Sequence, residues 1–153
     1  MRSILFVCPG NVCRSPLGEG MLRHKAEHLG LRLKIDSAGT ESLHAGEHPD
    51  SRSIQIAQEH GIDISWEVAR QITSGDFDKF DLILVADSQV YNEVMHVARN
   101  EDDKAKVDFM MNMVRPGSNT AVPDPYYGGQ EGFEKVYSML DKACNALLKG
   151  IGK

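Results

Sequence analysis

The feature that most constrains the fold is a continuous apolar run, Ile4-Leu5-Phe6-Val7, that leads into a short loop and then into a helical pattern. A run without polar alternation is typical of a strand buried on both faces of a parallel sheet. The helical pattern ends at Gly30, and its apolar face is formed by Leu17, Met21, Leu22, Ala26 and Leu29. Strand, loop and helix in this order predict the first β-α unit of a parallel sheet.

The alternation continues along the chain. Further strands are predicted at 31–35, 80–86 and 107–114, and helices at 50–60, at 88–98 and near the C-terminus. We therefore expect one α/β domain over residues 1–153, with a parallel sheet and helices on both faces. Ligands of such sheets bind beyond the carboxyl ends of the strands, so the loop after the first strand is the expected site.

Composition and charge exclude several classes of protein. A net charge of −5 and a pI near 5.6 argue against nucleic acid as a partner. No apolar run approaches the roughly 18 residues of a membrane span, and the apolar N-terminal part is too short for a signal peptide. Three cysteines without paired zinc spacing indicate reduced thiols, a cytoplasmic location and no metal. The oligomeric state stays open.

The first loop, residues 8–15, combines residues that favour a bound oxyanion. Ser15 is predicted to cap the following helix and Pro16 to occupy its first position, which brings unpaired N–H groups and partial positive charge to the loop. Gly10 and Asn11 tolerate left-handed backbone angles, so the loop can curl and turn its amides inward. Arg14 adds a planar fork that matches two phosphate oxygens.

Cys8 lies at the start of this loop, where the same positive field favours a thiolate. We expect it to be a nucleophile facing the anion held by Arg14, and Ser15 to donate a hydrogen bond to its sulfur. A buried cysteine after a strand is common, and this ordinary structural role is the alternative for Cys13 and for Cys144, which lies on the apolar face of the last helix.

A distal loop, residues 122–128, carries Asp124 between two prolines that stiffen its backbone. A carboxyl group held over the first loop could protonate a leaving oxygen. Tyr126 and Tyr127 could border a slot for an aromatic group. The alternatives are a simple Asp-Pro turn and ordinary packing of the two tyrosines.

Together these motifs resemble the low-molecular-weight protein-tyrosine phosphatase family. The resemblance extends over nearly the whole chain and includes the segments 7–16, 36–40, 49–52, 69–72 and 124–127. It implies a four-stranded parallel sheet of order 2-1-3-4 with flanking helices, and no cofactor. It also implies hydrolysis of protein phosphotyrosine and small aryl phosphates through a cysteinyl-phosphate.

The resemblance assigns roles to individual residues. Cys8 would be the nucleophile, Arg14 the phosphate clamp and Asp124 the general acid and later the base. Cys13 would form a reversible disulfide with Cys8, which implies redox sensitivity. The residues expected to bind the substrate are Gly10, Asn11, Val12, Cys13, Ser15, Leu43, Tyr126 and Tyr127. The implied partners are phosphotyrosine proteins, with bacterial tyrosine kinases as one class.

The chain departs from the family at several positions. Leu43 stands where an aromatic residue is frequent, which removes a stacking wall worth about 0.5–1.5 kcal/mol. Gly18 and Gly20 each weaken the first helix by about 1 kcal/mol. Glu67 replaces a more basic stretch, and nothing in the sequence explains it.

Three other activities remain open. Arsenate reductases on this scaffold need a relay of further cysteines, and only Cys144 is left for one. Protein-arginine phosphatases carry threonine where Val12 stands. A non-catalytic phosphopeptide-binding module would need the anion loop but neither Cys8 nor Asp124.

Overall fold

The computed structural model describes residues 2–151, apart from the side chain of Tyr127. Four parallel strands form one sheet: β1 (Ser3–Cys8), β2 (Lys34–Gly39), β3 (Leu82–Val85) and β4 (Val107–Phe109). The strand order is β2-β1-β3-β4, as predicted. The apolar run in β1 therefore occupies a central position, where both faces of the sheet are covered.

The helices lie between and after these strands. They are α1 (Arg14–His28), α2 (Ser51–Glu59), α3 (Asp76–Lys79), α4 (Ser88–Val97), α5 (Glu101–Lys104) and α6 (Gly129–Ile151), with 3-10 turns at Met110–Met113 and Pro125–Tyr127. Within residues 2–151, no helix has the length and apolarity needed to cross a bilayer.

Strand β1 divides the core because successive side chains point to opposite faces of a sheet. Ile4, Phe6 and Cys8 belong to one core cluster, which includes buried residues of α1, α2 and α6. Leu5 and Val7 belong to the other, which includes residues of α3 and α4. The last residue of β1 on the first face is thus Cys8, at the sheet's carboxyl edge.

Three predicted strands have different bounds in the structure, and the strand expected at 80–86 spans only Leu82–Val85. The strand expected at 31–35 begins only at Lys34, because Leu31 donates its N–H to Ala26 and closes the end of α1. The strand expected at 107–114 ends at Phe109, because Asn112 hydrogen-bonds to Asp108 and the chain turns into a 3-10 helix.

Close packing explains the two glycines early in α1. A Cβ atom at Gly18 would lie 2.7 Å from Cδ1 of Phe6, and one at Gly20 would overlap Cγ2 of Ile64. Both glycines therefore allow α1 to approach its neighbours more closely than alanine would, which compensates for their weak helix propensity.

Candidate active site

The first loop and the distal loop border a common cavity of about 340 Å³ at the carboxyl edge of the sheet. Its lining residues are Cys8, Pro9, Gly10, Val12, Cys13, Arg14, Glu41, His44, Asp124 and Tyr126. The expected nucleophile, clamp and acid therefore face one space, although more than a hundred residues separate the two loops in the sequence.

Three of the expected substrate-binding residues that the structure describes do not line this cavity. Asn11 and Ser15 are buried, with 2% and 0% exposure, and hold the loop from within. Leu43 is 76% exposed, and the neighbouring His44 lines the cavity in its place. The side chain of Tyr127 lies outside the described part of the structure.

Ser15 makes two hydrogen bonds with the sulfur of Cys8. The Ser15 hydroxyl lies 2.9 Å from Sγ, and the Ser15 backbone N–H donates to Sγ over 3.4 Å. The predicted N-cap role of Ser15 is wrong: α1 begins at Arg14, Cys13 is the N-cap residue, and the Cys13 side chain makes no capping hydrogen bond. The hydroxyl serves the sulfur instead of the helix, and the N-terminal amides of α1 favour an anion beside it.

Asn11 holds the shape of the first loop. Its φ angle of 57° is left-handed, as predicted, and its side chain fixes that conformation. Oδ1 accepts the N–H of Arg70 at 3.0 Å, while Nδ2 donates to the hydroxyls of Ser15 at 2.8 Å and Ser37 at 2.9 Å. Gly10 has no positive φ in the structure, but a Cβ atom there would lie 3.0 Å from Cδ2 of His44.

Arg14 is 3% exposed and is held by the two neighbouring loops. Its Nη1 donates to Oδ2 of Asp87 at 2.9 Å and to the carbonyl oxygen of Val122 at 2.8 Å. Its buried Nε has no hydrogen-bond partner among the described residues. The guanidinium is therefore oriented through one nitrogen, and another can bind an oxyanion in the cavity.

Asp124 is exposed at the cavity, and its Oδ1 accepts the backbone N–H of Tyr126 at 3.0 Å. The preceding Val122 anchors the distal loop, because its N–H donates to the carbonyl of Ala86 at 2.8 Å and its own carbonyl accepts from Arg14. The carboxyl group is thus kept beside the first loop by backbone contacts on both sides of it.

Arg52 connects the two loops. Its Nη1 donates to the carbonyl of Tyr126 at 3.0 Å, and its guanidinium lies 5.0 Å and 4.8 Å from the ring centroids of Tyr126 and Phe133. Asp50 receives a bidentate contact from Arg52 and donates its own N–H to the carbonyl of Val12 at 2.8 Å. This pair fixes the distance between loops that each carry part of the site.

Cys13, the second cysteine of the first loop, lies where its thiol is kept protonated and is therefore a poor nucleophile. Burial, followed by the charges of Asp50, Cys8 and Asp124, raises the pKa of Cys13 to about 12. Cys13 is therefore a neutral thiol at ordinary pH. Among the described residues, no group of three histidines, cysteines or carboxylates could hold a metal ion.

Sequence reasoning missed Pro9, Glu41, His44 and Asp87. Asp87 follows a buried strand just as Cys8 does, so the rule that parallel strands present their carboxyl ends at one edge could have identified it. Glu41 and His44 lie beyond β2, and no motif marks them. They approach the site because the backbone N–H of Glu41 donates to the carbonyl of Pro9 at 2.9 Å.

Comparisons with known proteins agree with this geometry. A family model described as low molecular weight phosphotyrosine protein phosphatase matches residues 3–153. The low molecular weight phosphotyrosine protein phosphatase of Schizosaccharomyces pombe is 37% identical over 151 residues, which is 97% of this chain and 96% of that protein.

Solved structures of other phosphatases have the same fold. A protein tyrosine phosphatase from Entamoeba histolytica has a TM-score of 0.91 and 34% identity, covering 99% of this chain and 97% of that chain. An arginine phosphatase of Drosophila has a TM-score of 0.91 and 29% identity, covering 100% and 99%. The chain belongs to the low molecular weight phosphotyrosine protein phosphatase family.

Proposed function

We propose that this chain hydrolyses phosphotyrosine in proteins, and small aryl phosphates, through a phosphate ester of Cys8. The observation that carries the proposal is the cavity shared by Cys8, Arg14 and Asp124, in which the sulfur makes two hydrogen bonds with Ser15. These groups supply a nucleophile, a charge clamp and a proton donor to one phosphoryl group.

In the first step the Cys8 thiolate attacks phosphorus and the bond between phosphorus and the aryl oxygen breaks. Arg14 and the amides of the first loop hold the non-bridging oxygens. Asp124 transfers its proton to the departing oxygen, so a neutral phenol leaves and Asp124 becomes a carboxylate.

In the second step a water molecule attacks the phosphocysteine. Asp124 accepts a proton from this water, the bond between sulfur and phosphorus breaks, and inorganic phosphate forms. The Ser15 hydroxyl stabilises the thiolate that departs. Asp124 therefore acts as the acid in the first step and as the base in the second.

Two variants test these assignments. Cys8→Ser should abolish turnover, since a serine hydroxyl at this position remains protonated. Asp124→Ala should slow turnover most for aryl phosphates whose leaving groups are poor, because these depend on the proton. Unchanged turnover of such substrates by Asp124→Ala would show that another group is the acid.

The substrate class can be separated from the related activities by one panel. Phosphotyrosine peptides should be hydrolysed, whereas phosphoarginine and arsenate should not be processed. The side chain of Val12 in the cavity lining supports this preference, because it has no hydroxyl group to offer a polar leaving group. No hydrolysis of p-nitrophenyl phosphate at about pH 5–6 would favour a phosphopeptide-binding module instead.

We propose phosphorylated tyrosine kinases as one substrate class, and phosphoprotein profiling with a Cys8→Ser trap would identify the partners. We also propose a cytoplasmic location, on the basis of the three reduced cysteines, and fractionation would test it.

Oxidation is proposed to link Cys8 to Cys13. Hydrogen peroxide would convert the Cys8 thiolate to a sulfenic acid and be reduced to water, and the Cys13 sulfur would then displace a second water to form the disulfide. Both sulfurs line the same cavity, which supports the pairing. Recovery of activity with dithiothreitol should be complete in the natural chain and incomplete in Cys13→Ser.

A further inference from the structure

Glu67 is a carboxylic residue inside the protein that forms no ion pair with any cation of residues 2–151. It is 4% exposed, and neither carboxyl oxygen has a hydrogen-bond donor among the described residues. An ionised carboxylate in such a position is strongly unfavourable, because burial removes its hydration without replacing it. The group either carries a proton or destabilises this part of the fold.

Glu67 lies against α1, because its Oε2 would be 3.4 Å from a Cβ atom at Gly20, and the carboxyl group that acts on it there is that of Glu19, which is 3% exposed. Its Oε1 accepts the Ser37 hydroxyl at 2.7 Å, and its Oε2 accepts Nη2 of Arg23 at 2.8 Å. Both oxygens of Glu19 already receive donors, so Glu19 is the carboxylate of the pair. A proton shared by the two groups therefore resides on Glu67.

The direction of the Ser37 contact is fixed by the chain of bonds behind it. The backbone N–H of Arg70 donates to Oδ1 of Asn11, which orients the amide, and Nδ2 then donates to both Ser37 and Ser15. Each hydroxyl accepts from Asn11 and must send its own hydrogen onward. Ser37 donates to Glu19, and Ser15 donates to the sulfur of Cys8.

The charged groups around Glu67 favour its protonated form. Burial first, and then the hydrogen bond and the charge of Glu19, raise the pKa of Glu67 to about 11, with a smaller increase from Asp36 and an opposing effect of Arg23. Arg23 is partly exposed, and its Nη2 donates hydrogen bonds both to Glu19 and to the carbonyl of Ile35. His48 hydrogen-bonds to the main-chain carbonyl of Glu67 at 2.9 Å, not to its carboxyl group.

We infer that Glu67 is a positioning residue: its neutral carboxyl group donates a hydrogen bond to the carboxylate of Glu19, and so stabilises the hydrogen-bond chain from Glu19 through Ser37, Asn11 and Ser15 to Cys8. The inference rests on the proposed role of Cys8. Ionisation of Glu67 would place two negative charges side by side, and would displace the acceptor that Ser37 needs. Asn11 would then lose part of the support for its left-handed backbone.

The proton itself can be observed without catalysis. Infrared spectroscopy of Cys8→Ser protein with ¹³C-labelled glutamate should show a buried, protonated carboxyl band at about pH 7, far above the unfolded range of glutamate. The band should vanish in Glu67→Gln and persist in the exposed control Glu27→Gln. Absence of the band in the parent protein, or its persistence in Glu67→Gln, would overturn the inference. The infrared measurement requires no turnover, and Cys8→Ser has none under the proposed function. The result therefore does not depend on the catalytic mechanism.

The effect on the first loop is measured by the rate at which iodoacetate alkylates Cys8 at about pH 6, where general thiols react slowly. Glu67→Met, which removes the donor, should lower the rate about fivefold, the effect expected for one hydrogen bond. Glu67→Gln, which retains an N–H donor, should restore most of it, and Glu27→Gln should match the natural chain. If Glu67→Gln and Glu67→Met were alkylated at the same rate, whether both matched the natural chain or both were slower, the positioning role would be refuted.

Ser37→Ala breaks the same chain at a second link and decides the question if Glu67→Met does not fold. It should lower the alkylation rate to a similar extent, and combination with Glu67→Gln should add nothing further. If Cys8 in Ser37→Ala were alkylated at the same rate as in the natural chain, the proposed role of the hydrogen-bond chain would be refuted. Failure of the natural chain to hydrolyse any aryl phosphate would refute the proposed function instead, and would leave the infrared result standing.

Discussion

Replacing Glu67 by glutamine should make the protein more stable at neutral pH. In the folded state burial and Glu19 raise the pKa of Glu67 from 4.5 to about 11, while the unfolded chain returns it to the ordinary range. Between these values the folded protein holds a proton that the unfolded chain releases. The unfolded state therefore binds fewer protons, and the free energy of unfolding must fall as the pH rises.

The size of this pH dependence follows from the release of one proton when the protein unfolds. The slope is about 1.4 kcal/mol per pH unit, so the natural chain should lose about 4 kcal/mol between pH 5 and pH 8 relative to a chain without this group. Glu67 is 4% exposed, so solvent screening reduces the figure only slightly. Glutamine keeps the size of the side chain and a donor for Glu19, but it does not titrate. The two proteins should be equally stable near pH 5, and Glu67→Gln should be the more stable one at pH 8.

Urea unfolding followed by circular dichroism at several pH values between about 5 and 8 measures this difference. Contributions from histidines and from carboxylates with lowered pKa values are common to both proteins and cancel. Glu27→Gln, which removes an exposed carboxylate, should parallel the natural chain. Parallel curves for the natural chain and Glu67→Gln would show that Glu67 ionises normally in the folded state, and would refute the argument.

Three further predictions concern the site. Asp87→Asn should raise KM for aryl phosphates about tenfold in steady-state kinetics, because a charge-assisted bond that orients Arg14 is weakened; an unchanged KM would show that the contact is not needed. Mass spectrometry after iodoacetamide treatment at about pH 7 should find Cys8 modified and Cys13 intact, because burial keeps the Cys13 thiol protonated; equal labelling would contradict this. Arg52→Lys loses the bidentate contact and the ring packing, so turnover of substrates with poor leaving groups should fall while alkylation of Cys8 stays unchanged; a loss of alkylation as well would place its effect on the first loop.

The sheet and the two loops could be predicted because local signals agree with the global arrangement. The apolar run of β1 and the helical pattern after it require a buried strand and a covering helix, and the carboxyl-edge rule then places Cys8 in a site. Strand ends were less predictable. Alternation at 31–35 suggested pairing, but tertiary contacts of Leu31 with the end of α1 delay the strand to Lys34.

The residues that support the site were harder to find, because their roles depend on contacts between distant segments. Asp87 holds Arg14 across 73 positions, and Ser37 reaches Asn11 across 26. Nothing in the sequence explained Glu67, because its proposed role depends on its position beside Glu19 in the folded protein. The local rule that serine favours a helix N-cap also failed at Ser15, where the hydroxyl contacts the sulfur instead.

The most direct test of the account is to trap the covalent intermediate. Asp124→Ala mixed with an activated aryl phosphate such as p-nitrophenyl phosphate should accumulate phosphocysteine, because attack on a good leaving group continues while hydrolysis loses its base. Acid quenching and peptide mass spectrometry should then locate one phosphate on Cys8 and none in Cys8→Ser. Turnover without any phosphate on Cys8, or turnover retained by Cys8→Ser, would contradict the central claim that this sulfur is the nucleophile.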